Sequence, residues 1–452
     1  MKKHNKRGFM LVISVILVTS LFGCVAVTPG VSPKGTQSET SQTLEKSNAA
    51  VSKEVKTGVL KIGCSDTMTT SGAVYGLPGS RGIECAVKIA NDEGGVKIGD
   101  TLYKIELVKY DDKNDPTEAI SVLKKLIEVD GVKYVLGYSA SVSATAACQE
   151  ANDKDVTLIM GNARAPVLLT YSKGNSWRSA TPNCYDTKGY AEFVKSKGVK
   201  SIGFFSQMKD TTCSIHTNLL VEDLKELGIP TTTIESATVG ETDFTTQANK
   251  ILSSGAEALY TVSYLSEAAW CLRQIRELGS KLPMFTYSGG SAAQWLEILT
   301  NEQLADTYNL RPSCAYDFLG QSKQADAMND MYKKLFNENA PQTSTFTYDN
   351  FWILISAMKK AGTIDRATVN KTLAELTFND LDSHIILQYS ADNGKLFDKR
   401  GQAYGPMAAI HWDTSKQDWV LDKVIPVDDH EFVNAKIDEL AKAAGIAENR
   451  QP

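Results

Sequence analysis

The chain is short of the residues that most enzyme chemistry needs. Its 452 residues include five histidines, His4, His216, His384, His411 and His430. None of them stands in a recognisable nucleophile motif with a serine, cysteine or acid. A phosphate-cradling P-loop is missing, and Gly76, Gly79 and Gly82 have the wrong spacing for a dinucleotide-binding GxGxxG. Neither an enzyme nor a bound cofactor is expected from that inventory. The eight cysteines (Cys24, Cys64, Cys85, Cys148, Cys184, Cys213, Cys271 and Cys314) show no CxxC and no metal-ligand spacing. Most lie in apolar surroundings and read as small buried hydrophobes, with any disulfide unassignable from spacing. Asp111-Asp112 reads as a strand end and acidic helix start rather than a metal site. No metal is expected.

Basic tracts and long apolar runs are equally scarce. The formal charge is −5, and removal of the N-terminal Lys2, Lys3, Lys6 and Arg7 would leave 44 basic against 53 acidic residues, a net −9. An acidic chain without a basic tract is a poor nucleic-acid binder. The one strongly apolar run, 9–22, is too short to be a confident membrane span. Basic residues precede it and Gly23-Cys24 follow, which is the layout of a secretory signal. Leu21-Phe22-Gly23-Cys24 resembles a bacterial lipobox, in which Cys24 becomes the lipidated first residue; a plain signal peptide is the alternative. Residues 25–57 are rich in Ser, Thr, Gln, Lys and Glu, and a segment with so little apolar surface cannot offset its ordering entropy. It reads as a flexible tether, so the body is expected outside the cytoplasm on a lipid anchor.

What the chain does have is alternation. Over 133–166, KYVLGYSASVSATAACQEANDKDVTLIMGNARAP, a short apolar run ends at Gly137, a Ser/Ala segment leads into a helical stretch, and a second apolar run ends at Gly161. That pattern is β-α-β in a parallel sheet. Ligands in such sheets sit beyond the carboxyl ends of the strands. Residues 139–143 and 161–164 therefore share one edge, and the first group opens a helix whose free N–H groups and dipole favour an anion. A Ser-rich turn can equally be a helix cap that needs no ligand.

The same alternation fills 59–166 and restarts after Trp177-Arg178, giving two α/β lobes with polar loops at their strand ends. In the first, 65–82 reads as a glycine-containing loop and 83–93 as a helix. In the second, the loops are 207–212, 263–267 and 288–291, and a cleft between two lobes is a preferred ligand location. The last third reads as composite: 311–318 crosses back, helices cover 324–337 and 348–360, and 383–389, 407–412 and 419–423 supply crossing and antiparallel strands. A helix at 431–444 ends the pattern.

These residues, in this order, resemble the type I periplasmic binding proteins of the leucine/isoleucine/valine-binding branch, which feed ATP-driven importers. The resemblance spans about 60–427 and is carried by LKIG…TTSGAVYG, RGIECAVKIANDEGGV, KYDDKNDPTEAISVLKKLI, VKYVLGYSASVSATAA, VTLIMGNARAP, TDFTTQANKILSSGAEALY and LRQIRELG. It implies two doubly wound parallel-sheet lobes joined by a three-crossing hinge and closing on ligand. The expected division is 1–24 signal, 25–57 tether, 58–178 plus about 312–385 as lobe 1, 179–311 plus about 386–430 as lobe 2, and 431–452 as helix and tail. The partners implied are a small-molecule ligand, the permease and ATPase subunits of an importer, and the membrane through Cys24.

The resemblance also implies site residues. Ser141 matches the family's carboxylate-binding hydroxyl, and Asn162 and Arg164 match the adjoining loop. Tyr75 and Tyr264 match aromatics that wall and cover the ligand. Two departures bear on specificity: Ser288 stands where the family's amino-acid binders place an acid for the ligand ammonium, and Arg164 stands where Thr is usual. An ammonium desolvated without a partner is costly, and Arg grips carboxylates in a bidentate fashion. The expectation is a small carboxylate, aromatic or branched, rather than an α-amino acid. Glu267 or Asp210 could supply the missing charge, so amino-acid binding is the alternative, as is sensing for a separate receptor.

Overall fold

The computed structural model describes residues 55–447, apart from 71, 391 and 428. The signal, Cys24, almost all of the proposed tether and the final residues lie outside that range. Among the described residues no helix is long and apolar enough to cross a membrane.

Lobe 1 begins with β1 (Lys56–Asp66), α1 (Ala73–Asp92), β2 (Val96–Ile98), β3 (Thr101–Asp111) and α2 (Pro116–Glu128). It continues through β4 (Tyr134–Gly137), α3 (Ser141–Ala151), β5 (Thr157–Met160) and β6 (Ser176–Arg178). Its sheet runs β2-β3-β1-β4-β5-β6, parallel except for the β2 edge. Lobe 2 follows with α4 (Asn183–Ser196), β7 (Ile202–Ser206), α5 (Thr211–Glu226), β8 (Thr231–Ser236) and α6 (Thr245–Ser253). After these come β9 (Ala258–Val262), α7 (Leu265–Glu277), β10 (Met284–Thr286), α8 (Ala292–Leu296) and β11 (Thr307–Pro312). The chain then returns to lobe 1 for α9 (Lys323–Phe336), α10 (Ser344–Ala361) and α11 (Arg366–Ala374). It ends in lobe 2 with β12 (Met407–Asp413), β13 (Asp418–Ile425) and α12 (His430–Ala443). The second sheet runs β13-β12-β11-β10-β9-β7-β8, with β12 antiparallel to both β11 and β13 and the rest parallel.

Three crossings join the lobes, and buried neighbours locate them. Ala180, Ala315 and Ala403 belong to the lobe 1 core, whereas Cys184, Leu310 and Tyr404 belong to lobe 2. The last crossing thus falls at 403–404 and not near 386: Ile386, Leu387, Leu396 and Phe397 all pack in lobe 1. Asp349, buried on α10, holds this stretch by accepting from the amides of Ile386 (2.9 Å) and Leu387 (3.0 Å), so 383–389 is an irregular segment and not a strand. The terminal helix is likewise no appendage, since Val433 and Ile437 sit in the lobe 2 core.

Two helices escape the sequence pattern. Helix α1 starts at Ala73, not at 83, and takes in Pro78, Gly76, Gly79 and Gly82. Those glycines signal close packing rather than a loop. A Cβ on Gly76 would strike the Thr67 carbonyl, one on Gly82 the Ser344 carbonyl, and one on Gly79 would lie 2.6 Å from Asp66 Oδ2. Being spaced by three and three, they share one helix face. Helix α4 follows a hinge segment and buries Tyr185, Asp186 and Tyr190 on one flank.

The lobe 2 core carries a polar aromatic knot. His216 on α5 is fully buried and stacks on Tyr287 (4.1 Å between centroids, 20°), with Tyr190 and Tyr260 near its other edges. Burial, and then the charge of Arg164, push its imidazole pKa down from 6.5 to about 3.

Two outcomes follow. Gly82→Ala should lower stability by about 1–3 kcal/mol in urea unfolding, because helix α1 must back away from α10. His216 stays neutral in the folded protein while the unfolded chain takes up a proton, so its stabilisation is complete above pH 6.5 and is lost as pH falls toward 3. His216→Phe, which keeps the stack, should flatten the fall of stability with acid by up to about 1.4 kcal/mol per pH unit in that window.

Candidate functional site

Strand order places the site. In the first sheet it reverses between β1 and β4, in the second between β7 and β9. Crevices open where strand order reverses, beyond the strand ends. In lobe 1 that edge carries 66–72 and 138–141, and in lobe 2 it carries 207–210 and 263–264.

The lobe 1 edge forms a small cradle. Helix α3 begins after Ala140, and no side chain caps its first turn. The serines therefore do not serve as a cap, and the helix presents unsatisfied N–H groups. Ser141 Oγ instead accepts from the main-chain N–H groups of Arg164 and Ala165, both at 3.1 Å. Behind that loop, fully buried Arg178 donates to the carbonyls of Ala165 (2.7 Å) and Ala163 (3.3 Å). It thus draws the oxygens of these peptides back. Burial pulls the Arg178 pKa down to about 10. Asp66, buried at the β1 tip, accepts from Ser139 through both N–H (2.9 Å) and Oγ (3.0 Å) and fixes the start of the helix. Asn162 donates its amide to Thr343 O (2.7 Å) and Ser139 Oγ (3.2 Å), tying the loop to the start of α10. Asp112 accepts from Thr67 Oγ1 (2.7 Å) and Asp111 from Met68 N (2.8 Å), knitting the β1 and β3 tips together.

Each lobe exposes an aromatic ring near its strand tips. Tyr75, on the first turn of α1, is 38% exposed, and Tyr264, ahead of α7, is 41% exposed. Val74 on α1 and Val142 on α3 are both more than half exposed. A Cβ on Gly289, beyond β10, would sit 3.9 Å from the Tyr75 ring, so the lobes approach closely here. Cleft walls and then the nearby Tyr264, Cys213 and Asp210 push the Tyr75 hydroxyl pKa up. Tyr75, Tyr264 and Asp210 are thereby neighbours across the cleft.

The structure corrects two expectations. Ser288 does not face a ligand: it is 1% exposed, its hydroxyl donates to Ser263 O (2.7 Å), and its carbonyl accepts from Asn309 (2.7 Å). Arg164 is not an uncommitted cation. Its Nη2 lies 2.5 Å from buried Asp186, its Nη1 donates to the Tyr287 hydroxyl (2.6 Å), and its Nε donates to Thr181 O (2.8 Å). Burial lowers its pKa but the Asp186 charge more than offsets this, while burial pushes the Asp186 carboxyl up against the pull of the arginine; the guanidinium is committed to that partner. Glu267 is also spent inside lobe 2, accepting from Gly240 N (2.8 Å) and Ser266 Oγ (2.7 Å). Asp210 caps α5 through Cys213 N (2.8 Å) at the cleft edge.

Sequence reasoning missed Asp186, Tyr287 and Arg178. Tyr287 immediately precedes the 288–291 loop, but its role depends on an arginine 123 positions away. Asp186 sits in helix α4, which the sequence pattern does not single out, and Arg178 falls at the boundary where the alternation restarts.

Comparison with known proteins agrees with this architecture. The periplasmic binding protein family model matches residues 59–417. The Leu/Ile/Val-binding protein homolog 1 of Brucella abortus is 28% identical over 327 residues, 70% of this chain and 82% of that protein. The Leu/Ile/Val-binding protein of Citrobacter freundii is 30% identical over 53% of this chain and 62% of its own length. Among solved structures, a branched-chain amino acid transporter substrate-binding protein from Streptococcus pneumoniae, in complex with isoleucine, superposes with a TM-score of 0.67 at 22% identity, covering 81% of this chain and 99% of that one. A solute-binding protein of an ABC transporter from R. palustris, in complex with benzoate, gives 0.66 at 16% identity over 82% and 98%. With two mostly parallel α/β lobes hinged by three crossings and a family match over most of its length, the chain belongs to the type I periplasmic binding proteins of the leucine/isoleucine/valine-binding family.

Proposed function

We propose that this protein is the extracytoplasmic capture component of an ABC importer, held at the membrane through Cys24, and that it closes its lobes on a small carboxylate with an apolar body. The observation that carries the reading is the uncapped α3 start at Ser141, whose hydroxyl accepts from the Arg164 and Ala165 N–H groups and keeps its own proton to donate, together with the partly exposed Tyr75 and Tyr264. Helix N-termini and convergent N–H groups hold anions, and exposed rings supply apolar contact. Buried Arg178 adds positive charge behind the same peptides. Ser141, Tyr75 and Tyr264 are the proposed ligand contacts, with Asn162 shaping the loop.

With Arg164 neutralised, the choice between a plain carboxylate and an α-amino acid rests on Asp210. It is the carboxylate that borders Tyr75 and Tyr264. The second reading, amino-acid binding with Asp210 facing the ammonium, therefore has a specific residue to recommend it. Relatives with isoleucine and with benzoate bound represent the two cases.

Mass spectrometry of ligand released from gently purified protein, then a thermal-shift panel of amino acids, aliphatic acids and aromatic acids, tests both readings, since a bound ligand raises apparent stability. Aromatic or branched carboxylates should shift melting, and Ser141→Ala should weaken the best of them roughly tenfold or more. Asp210→Asn should leave those acids unaffected; selective loss of leucine or valine binding in that variant would establish the amino-acid reading instead. No shift and no released ligand across the panel would end the capture proposal. Cys24→Ser should move the protein from the membrane to the soluble fraction.

A further inference from the structure

Arg164 belongs to lobe 1 by its main chain and to the hinge and lobe 2 by its side chain. Its N–H donates to Ser141 Oγ inside the cradle. Its guanidinium reaches Thr181 on the first crossing, Asp186 in the first turn of α4, and Tyr287 at the β10 tip. Nη2 also lies 3.8 Å from the sulfur of Met407, at the start of β12 just past the last crossing.

Asp186 and Tyr287 both belong to lobe 2 and border each other beside this guanidinium, whereas Thr181 lies on the first crossing. The Tyr287 ring is held face-on by His216 from the lobe 2 core and moves with that lobe. We propose that Arg164 is a coupling residue rather than a ligand anchor: Thr181 fixes its guanidinium at the hinge, and parting of the lobes draws Tyr287, with Asp186 beside it, away from the lobe 1 loop that carries Arg164. Closure then tightens the loop whose N–H groups build the cradle, and the closed form carries a stabilising contact of its own before any ligand contributes. The ligand-free balance is thereby shifted toward closure, whichever ligand the cleft takes.

Tyr287→Phe tests this because it removes one hydroxyl and keeps the ring on His216. Small-angle X-ray scattering of the ligand-free chain should show a larger radius of gyration for the variant than for the wild type, at a melting temperature within a few degrees. Hydrogen exchange of the 161–165 amides should quicken roughly tenfold, as expected for loss of a hydrogen bond to a charged group. Arg164→Lys, which keeps the charge beside Asp186 but cannot span all three partners, should open the protein likewise. Equal radii and equal exchange in wild type and Tyr287→Phe would overturn the proposal, as would a wild-type protein already as open as the variant. A merely structural role would lower the melting temperature without changing either readout.

Discussion

The geometry of this protein depends on the cross-ties among its three hinge strands. Arg178 and Gly401 to Ala403 exchange main-chain hydrogen bonds, with Arg178 N donating to Gly401 O (2.9 Å) and Ala403 N to Arg178 O (2.8 Å). Thr181 Oγ1 donates to Gly405 O (2.7 Å), and Ser313 N to Pro406 O (2.9 Å). Buried Gln402 adds a donor to Ala180 O (2.8 Å) and an acceptor for Arg178 Nε (2.5 Å). Separate peptides could twist independently, but strands bonded into one ribbon share a single axis. That constraint keeps the two sets of strand tips facing one another. It also lets one arginine behind the cradle and one beside it act on the same loop.

The charges in this region are used sparingly. Arg164 is matched by Asp186 in a buried pair, an arrangement whose desolvation cost is recovered only when both members are present and well bonded. Arg178 instead relies on carbonyls and an amide, so its positive charge is met by dipoles next to the 163–165 peptides. Reading the sequence for cations at the site singled out the neutralised arginine and passed over the other. The reason is physical: a motif gives position along a strand tip, while compensation depends on which distant acid folds against it.

Much of the fold was legible because parallel strands buried on both faces leave continuous apolar runs, and the helices between them end at glycines such as Gly228 and Gly279. The same rule misled at α1, where glycine marks backbone contact with Thr67 and Ser344. It also failed at α4, which hides an aspartate among its apolar residues. The stretch from Ile386 to Ala403 could not be assigned from periodicity because hydrogen bonds to Asp349 and Tyr404, not a regular ladder, set its course. At the strand tips, Ser141 accepts from the Arg164 amide and Tyr75 and Tyr264 stay partly exposed, whereas the orientation of Ser288 is fixed by a carbonyl in another loop.

The cysteines carry a consequence for the compartment. Among the described residues none of the seven thiols is in a disulfide, and six are buried. Burial raises the pKa of Cys64 and Cys271, which keeps them protonated and unreactive. The described body therefore owes none of its cohesion to oxidation. Its maturation outside the cytoplasm would call for no thiol oxidase, and an anaerobic or sulfide-rich habitat would leave it intact.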